Sequence, residues 1–249
     1  MSPRVQIVGS YLSPYVRKVL ACLNLKGIDY EIDPIVPFMG DDRFTALSPL
    51  RRIPVLIDDR VTLADSSVIC QYLEDCYPAP ALYPTDIANR ARARWLEEYA
   101  DTRIGDVLIW RLFNAAVVGP SVWGEPRDLA ALERIKREEI PPLLDHLEGE
   151  LPREGFLFGS LGIADISIAA FFGNAAYSRY QVDPLRWPVT AGFVGRVLAE
   201  NCLSRLQPFE ALMLRTPICD HRDALRAAGA PLTASTLGTG TPRRGVLRT

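Results

Sequence analysis

The proline-rich segment PAPALYP, at residues 78–84, separates two parts of the chain that differ in hydrophobic periodicity. Before it, short β-branched runs alternate with helical patterns. After it, apolar residues recur only at helical spacing. Strands followed by a run of helices are typical of two separate domains. We therefore predict a first domain over 1–78, a linker over 79–86, a helical domain over 87–220 and a flexible tail over 221–249.

The first part carries the pattern of a strand–helix–strand unit followed by a hairpin. Such a unit favours parallel pairing with a right-handed crossover, and two short apolar runs around the turn at 58–60 favour antiparallel pairing. The predicted elements are strand 5–9, helix 14–26, strand 29–35, a weak helix 41–47, strands 55–57 and 61–63, and helix 65–77. The second part predicts helices 86–117, 127–150, 163–178, 189–201 and 206–214.

Composition excludes several classes of function. The formal net charge is −2, so the chain has no broad basic field for nucleic acid or acidic membranes, and we expect neither as a partner. No apolar run approaches the ~20 residues of a spanning helix. The first residues, MSPRVQIVGS, lack a signal-peptide core, so we expect a cytoplasmic protein. Five cysteines without a CxxC pair, and two histidines, predict no metal site.

The first candidate site is the loop GSYLSPY at residues 9–15, between the first strand and the first helix. Pro14 suits the first helical position and Ser13 suits the N-cap, so the simplest interpretation is a helix cap. The start of a helix also favours an anion. A serine hydroxyl there can donate a hydrogen bond to a substrate's thiolate. Since the loop holds no cysteine, dithiol chemistry at this helix start is excluded.

Two further segments also allow both a structural and a ligand-binding interpretation. Pro54, after Arg51-Arg52-Ile53, is either an ordinary start of an edge strand or a cis-proline whose preceding backbone pairs with an extended peptide. Asp65-Ser66 either caps the next helix, or Asp65 binds an ammonium group while Ser66 and the helix start bind a carboxylate. The order and spacing of the three segments together outline a site with the shape of glutathione.

These segments resemble a known family over about residues 4–215. The run SPYVRKVLACLNLKGIDYE is similar to the zeta and related serine-type classes of cytosolic glutathione transferases. LSPLRRIPVL followed by LADSSVICQYLEDCYP resembles the family's glutathione-site block. FLFGSLGIADISIA, at 156–169, resembles its helical-domain folding motif, a capping box. Gly162 departs from that motif, which usually has Ser or Thr there, and glycine remains a tolerable cap.

The resemblance implies an α/β thioredoxin-like N-terminal domain, an all-α C-terminal helical bundle, and glutathione as co-substrate. Ser13 matches the serine that stabilises the thiolate, with Ser10 as the alternative. For the glycyl carboxylate the resemblance implies Arg51, with Arg52 as the less certain neighbour. The other implied glutathione-binding residues are Ile53, Pro54, Asp65 and Ser66. A second substrate would lie between the domains, and ordinary core packing is the more frequent explanation for any one apolar residue there. The candidates for the wall of that pocket are Tyr11, Leu12, Trp110, Phe113 and Tyr177.

The implied reaction is attack of the glutathione thiolate on an electrophilic small molecule, as in detoxification. Two alternatives stay open. One is a specialised glutathione-dependent isomerase, dehalogenase or aryl-ether-cleaving enzyme, and the other is a non-catalytic interaction protein on the transferase fold. The resemblance also implies a homodimer, in which Asp101 is the first candidate for a residue lent across the interface.

Overall fold

The structure is a computed structural model that describes residues 5–243. It contains two compact units. Unit 1 comprises the described parts of Met1–Pro80 and of Asn201–Thr249, and unit 2 is Ala81–Glu200. The chain therefore leaves unit 1 once and returns to it, which differs from the simple division in two that the periodicity predicts.

Unit 1 is built on a four-stranded sheet with the order β2-β1-β3-β4. β1 (Val5–Val8) pairs in parallel with β2 (Tyr30–Asp33) and antiparallel with β3 (Val55–Ile57). β3 in turn pairs antiparallel with β4 (Thr62–Ala64). The predicted parallel unit and the predicted hairpin are both present, and this thioredoxin-like arrangement confirms the predicted fold of the first domain.

Three helices belong to the first pass through unit 1: α1 (Pro14–Leu25), α2 (Asp42–Leu47) and α3 (Ser66–Cys76). α1 packs against α3 through the apolar face that its periodicity predicts, with Val16 and Leu20 fully buried. Two charged residues of α1, Arg17 and Lys18, are buried as well, at 2% and 1% exposure. Burying a charge is costly unless it is paired, so both side chains must have specific partners.

Unit 2 is helical, as predicted. Its helices are α4 (Ile87–Tyr99), which continues with wider π-type turns through Trp123, α5 (Leu129–Arg134), α6 (Ile140–Glu150), α7 (Ile163–Tyr177) and α8 (Pro188–Ala199). α7 is apolar nearly all round and is its central helix, in contact with α4 and α8. None of the helices that the structure describes is long and apolar enough to span a membrane.

The start of α7 explains the departure at Gly162. Asp165 accepts hydrogen bonds from the amides of Leu157 (2.9 Å) and Gly162 (3.0 Å), so the carboxylate arm of the capping box is intact. The amide of Ile163 donates to the Leu82 carbonyl at 2.8 Å. A Cβ at position 162 would lie 2.8 Å from that carbonyl oxygen, so glycine permits the close approach. Burial raises the pKa of Asp165 to about 6.

Three short helices bring the chain back to unit 1: α9 (Asn201–Ser204), α10 (Gln207–Arg215) and α11 (His221–Ala227). Arg17 of α1 forms a 2.7 Å ion pair with Glu210 of α10, and both side chains are 2% exposed. Asn24 donates to the Cys202 carbonyl at 2.9 Å. These contacts with α1 are the physical reason why residues 201–220, which the sequence assigns to the helical domain, group with unit 1 instead.

The segment predicted as a flexible tail, 221–249, is also structured over its described part. It contains α11, and after that Leu232 pairs in parallel with Ile32 at the outer edge of β2. Gly238 then pairs antiparallel with Gly40. Backbone pairing with a distant strand leaves no mark on local periodicity, so the sequence could not reveal it. Residues 244–249 of the predicted tail lie outside the described residues.

Candidate active site

The three predicted site segments are each adjacent in sequence to one row of paired residues in the sheet. Val8 pairs with Val55, and Val55 pairs with Ala64. β1 ends at Val8 and β4 ends at Ala64, whereas β3 begins at Val55. Three neighbouring strand ends therefore lie at the same edge of the sheet. The loop before α1 follows the end of β1, Asp65 follows the end of β4, and the Ile53-Pro54 dipeptide precedes the start of β3. The structure brings together residues that are up to about 50 positions apart in the sequence.

Gly9 shows how closely two of these segments approach each other. A Cβ at this position would lie 3.3 Å from the Cβ of Ile53 and 2.5 Å from Cγ2 of Val16. Any side chain here would push the loop away from both neighbours. Glycine therefore allows the loop that carries Ser10 and Ser13 to lie directly against Ile53.

Ser13 is the N-cap of α1. Its backbone is extended (φ −81, ψ 125) and its Oγ accepts a long hydrogen bond, 3.4 Å, from the amide of Val16. Capping uses a lone pair of the hydroxyl and leaves its proton, which goes to no other described residue, available to a ligand. The side chain is half-buried, so a ligand at the edge can reach it.

Ser10, the alternative hydroxyl, is in a different situation. Its side chain is 4% exposed, its Oγ accepts from the amide of Leu12 at 3.2 Å, and its proton points to Sδ of Met213 at 3.9 Å. Both roles of the hydroxyl are therefore used inside unit 1. The geometry favours Ser13 over Ser10 as the residue that meets a ligand.

The Ile53-Pro54 peptide bond is cis. Ile53 itself is buried, at 9% exposure. Neither its amide nor its carbonyl is hydrogen-bonded to another residue within 5–243. A backbone donor and acceptor left open at a sheet edge can pair with an extended peptide.

The two arginines before Ile53 have opposite roles. Arg51 turns into unit 1, where it donates to Thr45 (2.5 Å) and to the carbonyl of Gly40 (2.8 Å). Arg52 is exposed, and its guanidinium bonds to no residue that the structure describes. Arg52 is thus the one placed to meet a carboxylate, whereas the sequence favours Arg51 and treats Arg52 as the less certain neighbour.

Asp65 caps α3 and is exposed. Its Oδ1 accepts from the amides of Ser67 (3.0 Å) and Val68 (3.5 Å), and its backbone is left-handed, with φ 83. Such an angle costs a residue with a Cβ about 1–2 kcal/mol. Ser66, the first residue of α3, is buried beside it, and its amide donates to no residue within 5–243.

Lys18 is a residue of this region that the sequence analysis did not single out. It is 1% exposed and its Nζ donates to Oγ of Ser67 at 3.1 Å. A buried positive charge beside the start of α3 adds to the attraction that the helix terminus has for an anion. The one feature of the sequence that could have indicated its role is a lysine within the apolar pattern of α1.

The residues predicted for a second-substrate pocket are divided between the units. Tyr11 is 1% exposed and its ring packs on Phe209 at 5.0 Å, so it presents almost no surface to a substrate. In unit 2, Trp110 is 52% exposed, whereas Phe113 is buried. Leu12 and Tyr177 are half-buried. Asp101, which is predicted for a dimer interface and not for this pocket, is half-buried as well.

The histidines and cysteines do not form a metal centre in the part of the chain that the structure describes. His221 is 5% exposed, and its Nε2 lies 2.9 Å from the Met213 carbonyl and 3.0 Å from the Thr216 carbonyl. Burial lowers its pKa. These contacts join α10 to α11, which makes the role of His221 structural.

A thioredoxin-like sheet in one unit and only helices in the other place the chain in the class of two-domain proteins that join a thioredoxin-like domain to a helical domain. Comparison with known proteins gives the family. The profile of the glutathione S-transferase N-terminal domain matches residues 7–81. The chain is 31% identical over 204 residues, 81% of its length, to 95% of the uncharacterized GST-like protein YibF of Escherichia coli K12. The chain belongs to the glutathione S-transferase family.

Solved structures agree with this assignment. A glutathione S-transferase from Rhodospirillum rubrum F11 is 25% identical, with a TM-score of 0.77 over 88% of this chain and 99% of that one. A bacterial maleyl pyruvate isomerase of the zeta class, in its holo form, is 25% identical, with a TM-score of 0.67 over 82% of this chain and 97% of that one. Both likenesses extend over the helical unit as well as the thioredoxin-like one.

Proposed function

We propose that this protein is a glutathione transferase in which Ser13 stabilises the thiolate of bound glutathione. The observation that carries the proposal is that three groups lie at one edge of the sheet, beside strand ends that pair with one another. These groups are the Ser13 hydroxyl with its available proton, the open backbone of Ile53 and the start of α3. These groups match the thiol, the peptide backbone and the γ-glutamyl end of one extended tripeptide.

The hydrogen bond from Ser13 lowers the pKa of the thiol. A free thiol has a pKa of about 8.5, so little thiolate exists at neutral pH. A hydrogen bond to a charged group contributes roughly 1.5–3 kcal/mol, and a helix terminus adds about 0.3–1 kcal/mol. Together these terms correspond to a shift of about 1–3 pKa units, which is enough to ionise the thiol near pH 7 without a general base.

The remaining groups hold the peptide. Ile53 pairs with the cysteinyl backbone, and Asp65 binds the ammonium group of the γ-glutamyl unit. Ser66 and the helix start bind the adjacent carboxylate. Arg52, whose guanidinium is exposed, binds the glycyl carboxylate.

Two measurements test this function. Calorimetric titration should detect one glutathione site per chain, and a chromogenic halo-nitroarene should be conjugated with consumption of glutathione. S-methylglutathione, which cannot ionise at sulfur, should bind but support no reaction. A chain that binds no glutathione would overturn the proposal. Binding without turnover of several classes of electrophile would favour the interaction-protein alternative.

A glutathione-dependent isomerase is the second candidate, supported by the likeness to the zeta-class maleyl pyruvate isomerase. It would use the same thiolate, but glutathione would be released unchanged at the end of each turnover. Measuring free glutathione with a thiol reagent during the reaction separates the two. Constant thiol with a changing substrate spectrum indicates an isomerase, whereas loss of thiol in step with product indicates conjugation.

We further propose a cytoplasmic homodimer. Large apolar side chains are exposed in both units. They include Leu50 (56%) and Val68 (47%) in unit 1 and Trp95 (43%) in unit 2. Exposed apolar residues of this size suit a self-complementary contact. Light scattering after size exclusion should give about twice the chain mass of 27.7 kDa. A single-chain mass at micromolar concentration would refute the dimer.

A further inference from the structure

The C-terminal segment, residues 230–243, is fastened to unit 1 at two places. At the first, the outer edge of β2, the amide of Ile32 donates to the Pro231 carbonyl at 2.7 Å, and the amide of Thr233 donates to the Ile32 carbonyl at 3.1 Å. β2 is an edge strand of the sheet, so this pairing covers backbone groups that would otherwise be open.

An ion pair stabilises the turn at residues 233–237, which follows this pairing. Arg222 of α11 lies 3.0 Å from Oδ1 of Asp33, whose side chain is 4% exposed, and it also donates to the carbonyls of Thr233 and Ser235. The second oxygen of Asp33 accepts from the amide of Leu237 at 2.6 Å. Both carboxylate oxygens are thus used to hold the segment, although burial raises the pKa of this group.

The second place of attachment is the connection between β2 and α2. The amide of Asp41 donates to the Leu237 carbonyl at 2.8 Å, and the amide of Thr239 donates to the Met39 carbonyl at 2.6 Å. The amide of Arg243 donates to the Phe38 carbonyl at 2.7 Å. Three backbone hydrogen bonds therefore fix the shape of residues 38–41.

Arg51 forms hydrogen bonds with this connection between β2 and α2. Its Nη2 donates to the Gly40 carbonyl at 2.8 Å and to the Pro37 carbonyl at 3.3 Å. The backbone of Arg51 is left-handed, with φ 52, a conformation that costs about 1–2 kcal/mol and persists only when neighbouring contacts impose it. Arg52 and Ile53 follow directly, so the placement of Arg51 sets where the exposed guanidinium and the open backbone lie.

We propose that residues 236–243 are a positioning element of the glutathione site. The segment shapes residues 38–41, these orient Arg51, and Arg51 orients Arg52 and the Ile53 backbone. The segment touches neither the thiol nor Ser13, so it acts on glutathione binding and not on the reaction of the thiolate. This inference rests on the proposed function, because it concerns the same site.

The test compares two truncated chains. One ends at Ser235, which keeps the β2 pairing and the Arg222 contacts but removes all three bonds to residues 38–41. The matched control ends at Arg243 and keeps them. We expect the shorter chain to show a KM and Kd for glutathione about 5- to 10-fold higher, the size of an ordinary coupling between linked sites, with kcat at saturating glutathione within about twofold of the control.

Coupling of this kind is reciprocal, so the intact chain provides a second measurement. Saturating glutathione should slow hydrogen exchange at the amides of Asp41, Thr239 and Arg243. If the Ser235 chain does not fold, Thr239→Pro in the full chain removes one of the three donors and should raise the glutathione KM in the same direction.

The outcomes separate this inference from the proposed function. Equal glutathione constants in the two truncated chains, or exchange at the three amides unchanged by glutathione, would overturn the positioning role and leave the transferase proposal standing. A loss of kcat without a change in KM would also overturn it. If the chain ending at Arg243 binds no glutathione, the proposed function fails, and the positioning role fails with it.

Discussion

Ser13→Ala removes a single oxygen that has two roles in the proposed site. The first is to cap α1 through the amide of Val16. Loss of an N-cap costs about 0.5–2 kcal/mol of stability, and the 3.4 Å length of this bond places it near the lower end. The second is to donate to the glutathione thiolate, and its loss affects the reaction without affecting the fold.

The catalytic effect follows from the energy of that donation. Losing roughly 1.5–3 kcal/mol of thiolate stabilisation raises the pKa of the bound thiol by about 1–2 units. The rising limb of the rate profile then moves to higher pH. Near pH 6.5, kcat should fall about 10- to 100-fold. Above pH 9 the difference should nearly vanish, since the thiol ionises there without help.

The assay is conjugation of a halo-nitroarene at saturating glutathione from pH 5.5 to 9.5, with the thiolate absorbance of the binary complex followed in parallel. Ser10→Ala is the matched control, because its hydroxyl contacts Met213 inside unit 1, and it should keep the wild-type profile. Ser13→Thr keeps both roles and should retain activity. A Ser13→Ala profile without a shift, or activity abolished by Ser10→Ala alone, would refute the assignment of Ser13.

Three further predictions follow from other contacts. Asp65→Asn keeps the cap and tolerates the left-handed backbone, so calorimetry should show about tenfold weaker glutathione binding at unchanged stability, whereas Asp65→Ala should lose both. Arg52→Gln should weaken glutathione binding without changing the melting temperature, and Arg51→Gln should lower that temperature, because only Arg51 is bonded within unit 1. The raised pKa of Asp165, about 6, means that the folded state keeps a proton the unfolded state has lost. The free energy of unfolding should therefore fall as pH rises from about 4 to 6, and urea titrations of Asp165→Asn should lack that slope.

The parts of the fold that the sequence predicts are those with local signals. The parallel strand–helix–strand unit, the hairpin and the helical second part follow from periodicity and turn residues. The Ser13-Pro14 pair marks the start of α1 within one residue. Even the position of the three site segments at one edge could be expected, because strand ends that pair must lie side by side.

The parts that the sequence does not predict depend on distant partners. Arg17 has the pattern of a surface residue, yet it is buried in an ion pair with Glu210, 193 positions away in the sequence. The C-terminal segment has a low-complexity composition, yet Asp33 and Arg222 fasten it to β2. For the same reason the preference for Arg52 over Arg51 needs the structure, which shows that the connection before α2 already binds the guanidinium of Arg51.

Backbone strain bears on the choice between an enzyme and a non-catalytic relative. The hairpin β3–β4 is flanked by two residues with left-handed angles, Arg51 at φ 52 and Asp65 at φ 83. Each angle costs a side chain with a Cβ about 1–2 kcal/mol, and glycine would adopt it freely. At Arg51 the hydrogen bonds of the guanidinium to Thr45 and Gly40 offset that cost. At the exposed Asp65, glycine would relieve the strain and weaken the helix cap only slightly. A carboxylate kept at position 65 in spite of that cost, at the same edge as the open Ile53 backbone and the exposed Arg52, is what a site for a zwitterionic peptide requires, and this favours glutathione binding over a purely structural use of the fold.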